Sequence, residues 1–339
     1  MELAGAHGDI ISPAEVGLLI RDLKLGRSAG PDGILSEHLL YSSSYFLHVL
    51  ISDLFSICVS FHVVQAAFAT GLLIPVLKKP HLDTAKPKNY RPITISSTIA
   101  KLSEKFILGQ CDGHEFNELQ FGFREGLGTD IAATLASDVI SHCNFAGSTV
   151  YLCSLDAEGA FDCIPHSVLF QHCYGVLPDH LWMTMYHWYT NLSVQIRWSG
   201  HLSEPLKVLQ GTRQGGLSSP FLFNTFYQEM VDTLSEMEGG IMIGENKYNV
   251  FCYADDILLA SLTMSGLQKM IDTAYRIISS KGLRFNPAKS VCATFGKCPF
   301  DEATWVMNHS VLNVEESISA SPTLASSCLL MDAVTPTPG

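Results

Sequence analysis

The sequence predicts an α+β fold built on a split βαβ sheet of the ferredoxin-like kind, with helices on one face. Three observations carry that expectation. Between residues 150 and 295 the patterning runs strand, helix, helix, strand pair, helix, strand. Apolar residues make up 47% of the 339 and charged residues only 16%, which supplies a sizeable core and excludes wholesale disorder. From about Asn313 the periodicity fades into a Ser/Thr/Pro/Ala-rich tail, expected to be disordered.

Each element has a local reason. Ser12 is placed to cap a helix over 12–25, with Pro13 at its first position and Glu15 three residues on. The glycine-rich turn Gly26-Arg27-Ser28-Ala29-Gly30-Pro31-Asp32-Gly33 follows. A second helix starts near Leu35, and a third runs from about Ser44 to Phe61. Residues 46–64 are apolar enough to suggest a membrane span. Asp53, two His and three Ser inside the stretch, and the lack of nearby basic flanks, favour a buried amphipathic helix and no membrane partner. Residues 72–77 read as a strand, 78–89 as a loop broken by Pro80 and Pro87, 91–95 as extended and 97–108 as helical. Residues 150–155 form a β-rich run ending at Asp156. Helices are expected near 167–173 and 180–190, an alternating strand at 193–198 and a long helix at 219–237. A hairpin at 248–260, a helix at 266–281 and a strand at 290–295 complete the order.

Lys plus Arg is 21 and Asp plus Glu is 33, a net charge of −12. That is the wrong sign for a protein held to nucleic acid by bulk charge, and alone it points to a metabolic enzyme. The charge is uneven, however. Residues 78–105 hold Lys78, Lys79, Lys86, Lys88, Arg91, Lys101 and Lys105 against only Asp83 and Glu104. Ten cysteines without a C-x-x-C pair give no legible disulfide framework or zinc knuckle, and a reducing compartment fits better than secretion. The first residues lack the basic start and long apolar core of a signal peptide.

Chemistry concentrates at Phe251-Cys252-Tyr253-Ala254-Asp255-Asp256-Ile257-Leu258-Leu259, where adjacent carboxylates sit between two apolar runs. Burying two like charges is costly unless a cation neutralises them, although Asp-Asp is also common in solvated turns. Asp156 ends another apolar strand and precedes Ala157-Glu158-Gly159-Ala160-Phe161-Asp162. Two strands ending in carboxylates can converge on hard divalent cations such as Mg²⁺, and two such ions can flank a phosphoryl transfer. Asp162 reads as a helix N-cap before Pro165 and Glu158 as a solvated turn residue.

With these residues the chain resembles the reverse transcriptase domain of non-LTR retrotransposons, the long-interspersed-element type. Tyr253-Ala254-Asp255-Asp256 is similar to that family's Y/F-A-D-D core, and residues 155–162 to its first catalytic strand. Gly211-Thr212-Arg213-Gln214-Gly215-Gly216-Leu217-Ser218-Ser219-Pro220-Phe221-Leu222-Phe223-Asn224 resembles its nucleotide- and template-contacting segment. Further matches are 27–33, Leu73-Ile74-Pro75 with Lys78-Lys79, and Asn89-Tyr90-Arg91-Pro92-Ile93. Gln120-Phe121-Gly122-Phe123-Arg124 with Thr129, and Gly282-Leu283 with Asn286, Lys289 and Ser290, complete them in the family's order over about residues 12–296.

The resemblance implies a right-hand polymerase with fingers and N-terminal helices at 1–149, a palm at 150–296 and a divergent tail at 297–339 expected to be disordered, part of 193–212 contacting the fingers. It implies RNA-directed DNA polymerase activity on an RNA template and DNA primer with a deoxynucleoside triphosphate (dNTP). Two Mg²⁺, with Mn²⁺ as a substitute, would be held by Asp156, Asp255, Asp256 and the Ala157 carbonyl. Phe161 would be the steric gate against a 2′-hydroxyl. Arg91 would clamp the triphosphate. Gln214 and Gly215 would approach the nucleotide, and Lys289 would protonate the leaving pyrophosphate. Lys78, Lys79, Gly122, Arg124, Arg213 and Tyr253 would face template or primer. Family members continue with a primer-grip strand and a helical thumb, which are expected to be missing after Phe295, so the chain reads as a fragment. A catalytically silent remnant that folds and binds nucleic acid or protein is the competing expectation. A cyclase or DNA-templated polymerase on a related palm is disfavoured by Arg91-Pro92, Gln214-Gly215 and the Tyr253–Asp256 box together. The sequence leaves oligomeric state open, and the family implies cytoplasmic and nuclear locations.

Overall fold

The computed structural model describes residues 10–111, 113–296 and 304–315. In chain order the helices are α1 (Pro13–Arg21), α2 (Ser36–Tyr41), α3 (Tyr45–Ser60), α4 (Ala66–Ala69), α5 (Thr98–Gly109), α6 (Thr129–Phe145), α7 (His166–Cys173), α8 (Asp179–Thr190), α9 (Ser219–Glu236) and α10 (Met264–Ser280). The strands are β1 (Thr70–Leu77), β2 (Tyr90–Ile95), β3 (Val150–Asp156), β4 (Ser193–Trp198), β5 (His201–Leu202), β6 (Leu206–Lys207) and β7 (Met242–Ile243). They continue with β8 (Asn246–Lys247), β9 (Val250–Tyr253), β10 (Asp256–Ser261), β11 (Val291–Phe295), β12 (Val306–Met307), β13 (Ser310–Val311) and β14 (Asn313–Glu315). The fold is α+β, as expected from the sequence.

Contacts divide the chain into two compact units, Met1–His114 with Pro165–Leu222, and Glu115–Ile164 with Phe223–Gly339. These units cross the linear boundary expected at 149/150. Long-range pairing is the reason: β4, from mid-chain, joins β1 in parallel from Thr70↔Ser193 to Leu73↔Ile196.

In the first unit the sheet order is β2-β1-β4-β5, with β6 also on β4. β1 and β2 pair antiparallel from Leu72↔Ile95 to Leu77↔Tyr90, so the basic loop is the connection of a hairpin. The Ser12/Glu15 capping box forms, and Ser44 and Ser97 cap α3 and α5 as their positions suggest. α3 buries Ile51, Phe55, Cys58 and Val59, leaves Asp53 exposed, and exposes Phe46, Leu50 and Ile57 on its other side. No helix among the described residues is long and apolar enough to cross a membrane.

In the second unit the sheet order is β14-β11-β3-β10-β9, and β3 lies antiparallel to both β10 and β11. α6 buries Ala132, Ala136 and Val139 in one cluster with Val150, Leu152 and Leu258. The intervening Tyr151, Cys153 and Leu155 are buried as well, and α10 also packs on β3 and β10. The sheet is therefore covered on both faces, not on one. Residues 304–315, expected to belong to a disordered tail, are folded. Trp305 is buried with its ring 5.9 Å from that of Tyr151, and β14 covers the edge of β11 by parallel pairing from Val291↔Asn313. The rest of that expectation, 297–303 and 316–339, lies outside the described residues.

Candidate active site

β3 runs to Asp156, β10 starts at Asp256, and the antiparallel register sets these two acids directly opposite each other. Residues so paired project from one face of the sheet with Cβ atoms about 5 Å apart. Asp255 lies in the two-residue turn Ala254-Asp255 between the paired Tyr253 and Asp256. The flanking runs Val250-Phe251-Cys252 and Ile257-Leu258-Leu259 are buried, which fixes the hairpin and leaves Tyr253, Asp255 and Asp256 half-buried at its end. Ala254 has φ +57°, the sign that the first loop position of a type II′ turn requires and glycine normally supplies. A residue with a β-carbon held there costs about 1–2 kcal/mol. A segment before α6 grips the hairpin: the Cys252 N–H donates to Leu119 O and the Phe121 N–H to Cys252 O, both at 2.8 Å.

The same end of β3 is braced by residues 284–290. The Asn286 N–H donates to Asp156 O at 2.8 Å, the Glu158 N–H to Arg284 O at 2.9 Å, and the Asp156 N–H to Ser290 Oγ at 3.2 Å. Ala157 bridges Phe285 through these neighbouring groups, so its own carbonyl stays outside that pairing. Lys289 Nζ stands 3.5 Å from Asp156 Oδ1, with the lysine exposed. Asp156, Asp255 and Asp256, gathered at this end of the sheet, offer only oxygen atoms, the kind of donor a hard divalent cation takes. Among the described residues no group of three His, Cys, Asp or Glu side chains is placed to hold a metal ion. The donors thus fit the ion in chemistry, as two opposed carboxylates with a third one residue away.

Phe161, half-buried, stacks on Phe223 at 4.1 Å and 18°, and Phe123 meets it edge-on at 5.8 Å and 86°. Phe223 stacks in turn on Tyr227 at 4.5 Å. The Tyr227 hydroxyl is buried without a hydrogen-bond partner among the described residues; burial pushes its pKa up, and the charge of Asp255 adds to that. Glu158 and Asp162 are exposed. Asp162 does not cap α7: the cap position is Pro165, whose ring has no polar atom to accept a hydrogen bond. Gly122 is buried, and a β-carbon there would run into the backbone N of Ala254. The Arg124 guanidinium donates to Asn117 O at 3.1 Å and Gln120 O at 3.2 Å, bracing its own loop.

In the other unit Lys78 and Lys79 are exposed where the β1–β2 loop begins, and Arg91 lies half-buried on β2 opposite Val76. Gln214 O accepts from the Thr94 N–H at 2.7 Å. Gly215 is exposed with φ +107°, and a β-carbon there would sit 2.6 Å from Thr94 O, so glycine is required. Arg213 departs from its expected place facing template. Its side chain is 3% exposed, it pairs with the fully buried Glu104, and it lies 5.1 Å from the Trp188 ring centre. It also donates to Ser96 Oγ at 3.2 Å, while the second Glu104 oxygen accepts from the Leu217 N–H at 2.7 Å. Burial pulls the Arg213 pKa down to about 10, still well above neutrality. An internal carboxylate, a hydroxyl and an indole face engage this guanidinium, although its Nε is buried without a hydrogen-bond partner among the described residues, and the ion pair bolts the 211–218 loop to α5. Nothing local in the sequence marks Glu104 as its partner.

Residues 76–317 match the family model described as "Reverse transcriptase (RNA-dependent DNA polymerase)". The chain is 27% identical over 279 residues to the "Retrovirus-related Pol polyprotein from type-2 retrotransposable element R2DM" of Drosophila melanogaster, covering 81% of this chain and 25% of that protein. It is 28% identical over 216 residues to a type-1 retrotransposable element R2 polyprotein of Popillia japonica, covering 62% and 30%. The "RNA-directed DNA polymerase from mobile element jockey" of Drosophila melanogaster is 24% identical over 230 residues, covering 62% and 24%. The chain thus spans about a quarter of the length of the curated relatives it matches. Among solved structures, apo telomerase from Candida tropicalis truncated from its C-terminal domain aligns with a TM-score of 0.48 and 14% identity, covering 78% of this chain and 59% of that one.

Proposed function

Because the chain belongs to the reverse transcriptase (RNA-dependent DNA polymerase) family, we propose that it adds deoxynucleotides to a DNA primer along an RNA template, as the polymerase domain of a non-LTR retrotransposon. The observation that carries this reading is the register setting Asp156 opposite Asp256, with Asp255 in the adjoining turn. In the reaction the primer 3′-oxygen, losing its proton, bonds to the α-phosphorus. The bond from that phosphorus to the bridging oxygen breaks, and pyrophosphate leaves.

Asp156, Asp255, Asp256 and the Ala157 carbonyl would hold two Mg²⁺ or, in their place, Mn²⁺. When bound, such ions activate the attacking hydroxyl and offset charge on the leaving group. Lys289, beside Asp156, supplies the proton that pyrophosphate takes up. Phe161, braced by Phe223 and Phe123, rejects a ribose 2′-hydroxyl. Arg91 binds the triphosphate, and Gln214 with Gly215 contacts the nucleotide. Lys78, Lys79 and Tyr253 contact template or primer, Gly122 and Arg124 shape the loop that does so, and Arg213 acts only through the loop it anchors. The unit containing β3 and β10 is read as the palm and the unit containing β1 and β2 as the fingers.

Primer extension by the full chain, with Mg²⁺ and dNTPs on RNA and DNA templates, tests the proposal. Wild type is expected to extend the primer and Asp255→Ala to lose extension. No extension by wild type, or equal extension by the variant, overturns it in favour of a silent remnant.

A further inference from the structure

Among the described residues of the unit that carries the acids, four with β-carbons hold left-handed backbone; Asn308 and His309 form the β12–β13 turn, and the other two, Ala254 with φ +57° and Phe123 with φ +61°, lie beside the acids and the gate ring. One buried side chain lies between them. Gln120 is 1% exposed, and its Oε1 accepts from the Gly122 N–H at 3.0 Å and from the Ala254 N–H at 3.2 Å. Its Nε2 has no hydrogen-bond partner among the described residues, so the carboxamide is held through the oxygen alone. The Gly122 carbonyl is pinned from the other side by Asn224 Nδ2 at 2.9 Å, with Asn224 2% exposed. No β-carbon fits at Gly122 against Ala254. Phe123, the next residue, packs T-shaped against Phe161 and Phe223.

We propose that Gln120 is a positioning residue for nucleotidyl transfer, whose single oxygen fixes both the turn carrying Asp255 and the corner carrying Phe123. Metal retention and sugar selection are then coupled through one atom. Without that acceptor two buried N–H groups are orphaned, and both left-handed residues are free to relax. The inference rests on the polymerase reading above, and it adds a residue that touches neither metal nor substrate.

The test compares wild type, Gln120→Met, Gln120→Glu and Asp255→Ala as full chains. Methionine keeps the length and removes the acceptor, whereas glutamate keeps an oxygen. Amide hydrogen exchange is read at residues 122 and 254, with β3 as an internal check on folding, and Mn²⁺ binding is titrated without substrate. Gln120→Met is expected to lose protection at both amides together, with β3 unchanged, and to weaken Mn²⁺ binding by about 10–100-fold, as losing a group that orients a metal ligand does. Gln120→Glu is expected to restore protection. In extension assays Gln120→Met should raise ribonucleotide use relative to deoxynucleotide use. Unchanged exchange at 254, or unchanged Mn²⁺ affinity, in Gln120→Met overturns the inference while Asp255→Ala still abolishes binding. If even wild type binds no Mn²⁺ and extends no primer, the polymerase reading falls and takes this inference with it. Should Gln120→Met fail to fold, Gln120→Glu decides: loss of protection at 122 and 254 despite the retained oxygen overturns the inference.

Discussion

Arg213 and Lys289 each pair with a carboxylate, and burial gives the two pairs opposite meanings. Lys289 is exposed beside Asp156, where water and salt screen the attraction, so the pair adds little to folding and its interest is chemical. Arg213 and Glu104 are both shut away from water. Removing one member of such a pair strands the other charge, at a cost of about 3–5 kcal/mol, whereas replacing both by apolar groups is often neutral. Arg213→Met is therefore expected to lower the urea midpoint sharply, and Glu104→Leu combined with Arg213→Met to recover most of the loss. An Arg213→Met midpoint equal to wild type would show that the pair with Glu104 contributes nothing to the fold. The three acids were legible because each ends or interrupts an apolar run. The burial of Arg213 was not, because its partner lies on α5 and only the fold brings the two together.

The β9–β10 hairpin shows what an element adds to its residues. Two apolar runs around an acidic pair announce it in the sequence, but not that an alanine occupies the left-handed loop position. Ala254→Gly removes the β-carbon penalty while adding unfolded-chain entropy, so the net gain is at most about 1 kcal/mol. The thermal midpoint is expected to hold or rise, while extension falls because the turn carrying Asp255 loses its single conformation. A lower midpoint would show that the alanine is unstrained. Helices with explicit caps, such as α1 behind Ser12 and Pro13, were equally legible. α6 was not anticipated: Gly128 caps it without a side-chain bond, and its buried face relies on Ala132, Ala133 and Ala136, small residues that give weak apolar contrast. β12, β13 and β14 are only two or three residues long, too short for alternation to register.

For the whole molecule, the net charge of −12 opposes nucleic-acid binding only if charge acts as an average. Its distribution says otherwise. Lys78, Lys79, Lys86 and Lys88 are exposed on the β1–β2 loop, and of these Lys86 is partly neutralised by Asp83 at 3.4 Å. The parallel register of β1 with β4 was hidden from the sequence, although part of 193–212 was expected to contact the fingers, and this basic run was plain. A cation that touches phosphate releases counterions, so binding weakens with salt on a logarithmic slope set by the number of such contacts. If the loop holds template or primer, the double variant Lys78→Gln, Lys79→Gln should weaken binding of a labelled RNA–DNA hybrid and flatten that slope by about one for each lysine. Lys269→Gln, an exposed lysine on α10 outside the run, should leave the slope unchanged. Fluorescence anisotropy over a KCl series reads both. Equal slopes in wild type and the double variant would mean that the loop lysines are merely solvated. A slope reduced by Lys269→Gln as well would mean that binding follows overall charge, which at −12 is the outcome the fold argues against.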